Sequence, residues 1–207
     1  MNPLAHVQTA RLQLDAITPD DLEPMFALQS DPRGWGHFPS GRYVDRDRTR
    51  EMIANASRGW AETGLHYWAA RLRVDVPAES GSTADVASTI EPALVAGEFV
   101  GAGGCMLRGG VVWNLCYRLR PEAWGHGFAT EIARAAQAAA AQRDPDVPVI
   151  AYLVEQNEGS RRTAERAGLR LAARVPDAGN PDPTVMRLIY ADRPLSAQAL
   201  ENLSNRP

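Results

Sequence analysis

The chain contains 207 residues, of which 44% are hydrophobic and 23% are charged. That length suits one domain or at most two small ones, and the composition excludes a wholly disordered, collagen-like or membrane-embedded chain. The net charge is −3 and there is no basic run, so general nucleic-acid binding is not expected. All 22 basic residues are arginine, which excludes a mechanism built on a catalytic lysine.

The two cysteines, Cys105 and Cys116, are too few for a disulfide framework, and they lack the spacing of metal ligands. The N-terminus has no apolar run behind a basic start, and no stretch approaches the roughly 20 apolar residues of a membrane span. We therefore expect a cytoplasmic protein with no bound metal and no membrane partner.

The N-terminal half alternates between strand and helix patterns. Its expected elements are a strand at 11–15, a helix after Thr18, a helix from Asp45 to Gly64, a strand at 67–72, and short strands at 93–95 and 99–102. Pro24 removes a backbone donor inside the first helix, which predicts a kink or a late start. Residues 74–92 contain almost no large apolar side chain and predict an exposed loop insertion.

The C-terminal half contains the strongest periodic signals. Alternate positions of the strand at 111–119 place five large apolar side chains on one face. The expected elements after it are a helix at 127–142, a buried strand at 149–154, a short helix from Ser160 to Ala167, and an antiparallel strand pair at 170–175 and 185–190. We expect one domain over residues 1–207, with its core at about 9–194 and a mobile tail at 195–207.

The segment between the central strand and the central helix carries a candidate anion site. Gly125 and Gly127 stand at the mouth of the helix, where glycine allows the backbone to approach a ligand closely. The unpaired N–H groups of the first helical turn and the helix dipole favour a phosphate there. The alternative interpretation is a glycine-containing turn without a ligand.

Two sequence blocks carry a resemblance to a known family. The first is Tyr117-Arg118-Leu119 followed by Trp124-Gly125-His126-Gly127-Phe128-Ala129-Thr130-Glu131, and the second is Asn157-Glu158-Gly159-Ser160-Arg161-Arg162 followed by Glu165-Arg166-Ala167-Gly168. Their order and spacing resemble those of the GNAT superfamily of acyl-CoA-dependent N-acetyltransferases. The resembled branch contains the ribosomal-protein N-terminal alanine and serine acetyltransferases, and the resemblance runs from about Thr9 to Pro194.

The resemblance implies an α/β (α+β) fold, with a mixed, mostly antiparallel sheet that splays at a central parallel strand pair. It implies transfer of acetyl from the cosubstrate acetyl-CoA to a primary amine, by direct attack and without a metal. The cosubstrate-binding residues that it implies are Leu119, Trp124, Gly125, His126, Gly127, Phe128, Ala129, Asn157 and Ser160. Ser160 is the implied general acid for the departing thiolate, and its alternative role is a hydroxyl at a helix N-terminus.

The catalytic base is left open among His37, His66, Glu98 and an ordered water. Many family members carry a Glu and a Gly where this chain has Asn114 and Cys116. Trp124 and His126 replace the usual basic residues of the loop, which removes fixed positive charge from the anion site. Cys116 stands in an apolar strand without a histidine at motif spacing, so we expect it to pack rather than to act as a nucleophile.

The acceptor is expected to be a small-molecule amine or a protein N-terminus. An aromatic, glycine-containing loop could form one wall of the acceptor pocket with Trp35, His37, Phe38 and Tyr43. A homodimer is left open. Two other functions compete: a noncatalytic acyl-CoA-binding module on the same fold, and an NAD(P)-binding oxidoreductase in which Glu155 would bind the ribose.

Overall fold

The computed structural model describes residues 2–77, 94–178, 180 and 182–204. These residues form one mixed sheet of eight strands with α-helices on both faces. The strands are β1 His6–Gln8, β2 Leu12–Ala16, β3 Tyr67–Leu72, β4 Phe99–Arg108, β5 Val112–Leu119, β6 Val149–Val154, β7 Arg170–Pro176 and β8 Met186–Ala191. The helices are α1 Leu22–Ser30, α2 Arg46–Thr63, α3 Phe128–Arg143, α4 Glu158–Arg166 and α5 Ala197–Ser204.

The strand order in the sheet is β1-β2-β3-β4-β5-β6-β8-β7. Every neighbouring pair is antiparallel except β5 and β6, which are parallel. This arrangement confirms the α/β class and the mostly antiparallel sheet that the sequence predicts.

The parallel pair is short, and its shortness creates an opening in the sheet. β5 and β6 pair only from Trp113 with Val149 to Leu115 with Ala151, although β5 continues to Leu119 and β6 to Val154. The carboxyl ends of the two strands therefore separate, as the resemblance implies.

The side chains of β5 divide between the two faces of the sheet. Trp113, Leu115 and Leu119 are buried with Phe128 and Ile132 of α3. Because side chains alternate along a strand, Asn114, Cys116 and Arg118 lie on the opposite face. On that opposite face Met25 of α1 and Ile53 of α2 pack against Ala69 and Ala102 of the sheet.

The first two helices begin and end where local chemistry dictates. Thr18 and Asp21 form a capping box around a 3₁₀ turn, so α1 starts only at Leu22 and Pro24 falls in its first turn. A proline there costs little, since the N–H groups of the first turn have no partner within the helix. The Asp45 side chain caps α2, and Gly64 ends it with a φ of 72°.

The structure departs from the sequence-based expectation in four places. The sequence misses β1, and it predicts only the first residues of β4, which continues to Arg108. The expected strand at 93–95 is not formed at Leu94 and Val95, since Leu94 makes only an isolated bridge with Val76, and residue 93 lies outside the described residues. Most of the expected loop at 74–92 also lies outside them. Over 197–204 a helix replaces the expected mobile tail, because Ala199 and Leu203 are buried against Ile150 and Ile189.

Candidate active site

The opening between β5 and β6 is part of a cleft of about 740 Å³. One wall carries the glycine turn and the start of α4, and the opposite wall carries the loop around Trp35. Among the residues that line it, five are arginines and one is a histidine, and the described lining contains no carboxylate. The arginines are Arg33, Arg118, Arg162, Arg166 and Arg187. A cleft lined in this way attracts anions, although the net charge of the whole chain is negative.

The glycine turn presents free backbone donors to the cleft. Gly125 and Gly127 have φ values of 82° and 79°, which L-residues with side chains rarely adopt. Gly127 is the N-cap of α3 and has no capping side chain. Among the described residues, the amides from Gly125 to Thr130 have no hydrogen-bond acceptor. Six consecutive free donors at a helix N-terminus form an anion site.

Trp124 does not contribute a free amide to this row, contrary to what the resemblance implies. Its backbone N–H donates to the carbonyl of Pro121 at 3.0 Å, closing a 3₁₀ turn. Its indole N–H donates to the carbonyl of Leu119 at 2.9 Å, which occupies one acceptor site of that carbonyl. About half of the surface of Trp124 is exposed, and the residue lies next to the glycine turn in the sequence.

The glycine turn is held by two residues of the connection between β1 and β2. Arg11 donates through Nη1 to the carbonyl of His126 at 2.8 Å and forms an ion pair with Glu131 of α3 at 2.8 Å. The Thr9 hydroxyl donates to the same carboxylate at 2.5 Å. Burial alone raises the pKa of Glu131, but the hydrogen bonds from Thr9 and Arg11 and the charge of Arg11 bring it below its ordinary value.

The start of α4 lines the same wall of the cleft as the turn. Asn157 is the N-cap, and its side-chain oxygen accepts from the amide of Ser160 at 3.0 Å. The Asn157 amide nitrogen has no protein partner among the described residues, and the Ser160 hydroxyl interacts with the side chain of Tyr117. Both side chains line the cleft. Asn157, and not Ser160, caps the helix.

Tyr117 ties α4 to the central strand. Its hydroxyl donates to the carbonyl of Ser160 at 2.9 Å, and burial raises its pKa well above the ordinary value. This bond fixes the Ser160 backbone relative to β5.

The structure sorts the candidate bases by position. His37 lines the cleft, and its pKa is lowered by burial and by the charges of Arg118 and Arg187. His66 is buried beside Gly59 of α2 and does not line the cleft. Glu98 is bound to Arg120 and to the backbone of its own turn. Only His37 of the three is placed to meet an acceptor.

Cys116 lies on the cleft floor with part of its surface exposed, as one of the two free thiols of the described residues. Desolvation by its neighbours raises the pKa of the thiol, so the thiolate that a nucleophilic role requires is disfavoured. Asn114, two residues earlier, has a buried side-chain oxygen without a partner in the described structure.

The residues of the oxidoreductase alternative do not form a ribose site. Glu155 is paired with Arg174 of β7 at 2.7 Å. β5 and β6 are the one parallel pair among the described strands, so a doubly wound sheet is absent from this part of the chain.

The described residues contain no group of three His, Cys, Asp or Glu side chains that could hold a metal ion. Within the same ranges, none of the helices has the length and apolar character needed to cross a bilayer.

The family comparison agrees with the mixed, splayed sheet and the cleft beside it. Residues 11–170 match the family model described as the acetyltransferase (GNAT) domain. That match spans most of the chain, and the chain belongs to the GNAT acetyltransferase family. The protein is accordingly an acetyltransferase by family, with acyl-CoA-dependent acetyl transfer as the family's chemistry.

Solved structures share the fold at low sequence identity. A GNAT-family protein from Bordetella pertussis is 18% identical, with 91% of this chain and 99% of that chain covered and a TM-score of 0.67. An acetyltransferase from Agrobacterium tumefaciens is 23% identical over 90% of this chain and 92% of that chain, with a TM-score of 0.64. RimL, the ribosomal L7/L12 α-N-protein acetyltransferase solved with CoA, is 14% identical over 90% and 96%, with a TM-score of 0.64. Among curated proteins, no sequence matches the chain.

Three cleft residues were not predicted from the sequence. Arg118, Tyr152 and Arg187 come from β5, β6 and β8, and they meet only because β6 lies between the other two strands in the sheet. The alternation along β5 could have placed Arg118 on the face opposite the glycine turn, but no sequence motif marks the other two.

Proposed function

We propose that this chain transfers acetyl from acetyl-CoA to a primary amine by direct attack of the amine on the thioester. The observation that carries the proposal is the row of free amides from Gly125 to Thr130 at the mouth of the cleft. These donors suit the CoA pyrophosphate, since they supply hydrogen bonds where the loop itself has no lysine or arginine.

The remaining contacts follow the cleft inward from the turn. The backbone of Leu119 and the free amide nitrogen of Asn157 flank the path that a pantetheine arm would take through the opening between β5 and β6. The cosubstrate supplies the activated acetyl group as a thioester. Arg162, which lines the cleft beside α4 and lies 3.9 Å from Glu158, is a further candidate for a phosphate contact.

Two side chains are assigned to proton transfer. The Ser160 hydroxyl passes a proton to the departing thiolate and regains one from solvent water, since this side chain lines the open cleft. His37 accepts the proton of the attacking amine, because its lowered pKa keeps the imidazole neutral at neutral pH. No covalent intermediate on the enzyme is required, in keeping with the raised pKa of Cys116.

The acceptor class within this proposal is a small-molecule amine or a protein N-terminus. RimL, whose name specifies an α-N-protein acceptor, shares the fold at 14% identity, and its reaction supports the second choice by analogy only. A cytoplasmic location remains part of the proposal, and the oligomeric state is left open.

A pair of glycine variants tests the proposal. Gly125 and Gly110 both have positive φ, at 82° and 73°, and a Cβ at either position would meet nothing within 4 Å. The backbone cost of Gly125→Asp and Gly110→Asp should therefore be similar. Only Gly125 lies at the cleft, where the new carboxylate repels phosphate.

The measurement is CoA binding by calorimetry together with acetyl transfer to an amine panel. We expect Gly125→Asp to weaken CoA binding by at least about tenfold, the equivalent of 1.4 kcal/mol, and Gly110→Asp to bind as the parent chain does. Equal CoA affinity in the two variants would show that the glycine turn does not bind the CoA pyrophosphate. CoA binding without turnover of any amine would favour the noncatalytic module instead.

A further inference from the structure

The side of the cleft opposite the glycine turn carries a fixed cation. Arg118 projects from β5 on the face away from Tyr117 and Leu119. Its guanidinium carbon lies 3.6 Å from the centroid of the Trp35 ring, and its Nη1 donates to the carbonyl of Gly34 at 2.5 Å. Stacking and the hydrogen bond hold the planar group in one orientation toward the cleft.

Arg118 differs from Arg33 and Arg187 in having no acidic partner among the described residues. Arg33 is paired with Asp31 and Glu122, and Arg187 is paired with Asp177. Within the described ranges no carboxylate lies within ion-pair distance of Arg118, and its Nε and Nη2 donate to no protein acceptor. One edge of the guanidinium is therefore free.

A partly buried cation without a counterion is costly, because it has lost part of its hydration and gained no opposite charge. A ligand that brings an anionic group to this position restores the balance. Since the described cleft lining contains no carboxylate, an anionic group of a bound molecule would supply the counterion that the protein does not.

A second guanidinium stands on the same wall. Arg187 lies 5.1 Å from the ring of Tyr152 and 6.0 Å from the ring of Phe38. The Asp177 carboxylate balances the positive charge of Arg187. Arg118 therefore supplies the unbalanced positive charge on this wall of the cleft. The positions of Arg187 and His37 on this wall make it the acceptor side, whereas Asn157 and Ser160 stand on the side of the turn.

We propose that the acceptor amine carries a carboxylate, and that the free edge of Arg118 binds its two oxygens. The inference rests on the proposed acetyl transfer and names its substrate class. A bidentate arginine–carboxylate pair fixes both the position and the orientation of the acceptor, which would direct its amine toward the opening where β5 and β6 separate. Arg118 is thus assigned as a specificity-determining residue.

Matched acceptor pairs test the proposal and separate two sources of the carboxylate. Serine and serinamide differ in a free α-carboxylate, whereas two amidated peptides that begin Ser-Glu and Ser-Gln differ in a side-chain carboxylate beside a peptide N-terminus. Rates are referred to the concentration of neutral amine, since a carboxylate raises the pKa of a nearby amine. For the parent chain we expect kcat/KM to favour the acid of at least one pair by about 10-fold to 100-fold, the range of a charge-assisted hydrogen bond.

Variants then assign the preference to Arg118. Arg118→Gln should bring the acid-to-amide ratio near unity through the KM of the acceptor, with CoA affinity unchanged, and Arg118→Lys should retain only part of the preference. Arg33→Gln is the matched control, since Arg33 lines the same cleft but is already paired, and it should retain the full ratio.

Equal use of acid and amide by the parent chain in both pairs would overturn this inference while acetyl transfer stands. An unchanged ratio in Arg118→Gln would overturn it as well. If the melting curve shows that Arg118→Gln does not fold, the test rests on the acid-to-amide ratios of the parent chain and of Arg118→Lys. CoA binding without turnover of any acceptor would overturn the proposed function and this inference together.

Discussion

The Glu131 carboxylate on α3 accepts a hydrogen bond from the backbone of Arg11 at 2.8 Å and another from its side chain at 2.9 Å, across 120 residues of sequence. Arg11 also donates to the carbonyl of His126, so this pair ties the connection between β1 and β2 to the glycine turn. The orientation of the free amides in that turn therefore depends on a contact outside the turn itself.

Replacing Glu131 tests this support. We expect Glu131→Gln to lower both stability and CoA affinity, the latter several-fold, because Arg11 loses its anionic partner and holds His126 less firmly. The stability loss should be about 1 to 3 kcal/mol, as for a hydrogen bond to a charged group. Calorimetric CoA titration and urea unfolding measure the two effects.

Glu23→Gln is the control for that experiment. Glu23 pairs with Arg46 at 2.9 Å, but both side chains are exposed and neither lines the cleft. A surface pair of this kind contributes little, so the control should bind CoA as the parent chain does. Equal effects from the two variants would show that Glu131 acts on general stability and not on the turn.

The comparison of sequence with structure shows which relationships are local. The glycine turn, the caps of α2 and the alternation along β5 are set by neighbouring residues, and the sequence predicted each of them. The Arg11 to Glu131 bond and the meeting of Arg118 with Trp35 join distant segments, so no short pattern marks them. Helix α5 was missed although four of its eight residues are apolar, because Ala199 and Leu203 pack on Ile150 and Ile189, which lie far away in the sequence.

Ser160→Ala should affect catalysis and leave stability nearly unchanged. The Asn157 side chain, not Ser160, caps α4, so loss of the hydroxyl leaves the helix cap intact and removes only its interaction with the side chain of Tyr117. If the hydroxyl protonates the leaving thiolate, kcat should fall by about 10²-fold to 10⁴-fold with little change in the KM for acetyl-CoA. Steady-state kinetics and a melting curve on the same preparation measure both.

Asn157→Ala is the comparison variant. It removes the side chain that caps α4, so it should lower the free energy of unfolding by about 1 kcal/mol, whereas Ser160→Ala should not. A Ser160→Ala enzyme with the parent kcat would contradict the assigned acid role.

His66 predicts an acid-dependent loss of stability. Burial lowers its pKa to about 4, and its Nδ1 has no partner among the described residues. The unfolded chain binds a proton at the ordinary histidine pKa near 6.5, so the unfolded state holds more protons between these values. The contribution of neutral His66 to the free energy of unfolding is therefore complete above pH 6.5. It declines as the pH falls toward 4, by up to about 3 kcal/mol.

The variant His66→Leu should remove this component. Its free energy of unfolding, measured by urea at pH 7 and pH 4.5, should fall less between the two values than that of the parent chain. A parallel decline in both proteins would assign the acid sensitivity to other groups.

His37 predicts the low-pH limit of catalysis. Burial and the charges of Arg118 and Arg187 lower its pKa, and a general base works only when neutral. The kcat profile should therefore rise with pH through a midpoint below the ordinary histidine value, and a second limb should follow the pKa of the acceptor amine. Acceptors with different amine pKa values separate the two, since only the second limb moves with the acceptor.

Variants test whether the low-pH limb of the kcat profile belongs to His37. His37→Gln should reduce kcat by about 10²-fold to 10⁴-fold and abolish that limb, whereas His6→Gln, at the exposed edge of the sheet, should keep the parent profile. Arg118→Gln removes a positive neighbour of His37, so the limb should shift to higher pH in that variant. If the limb survives unshifted in His37→Gln, the proton passes to another group, and an ordered water becomes the base to examine.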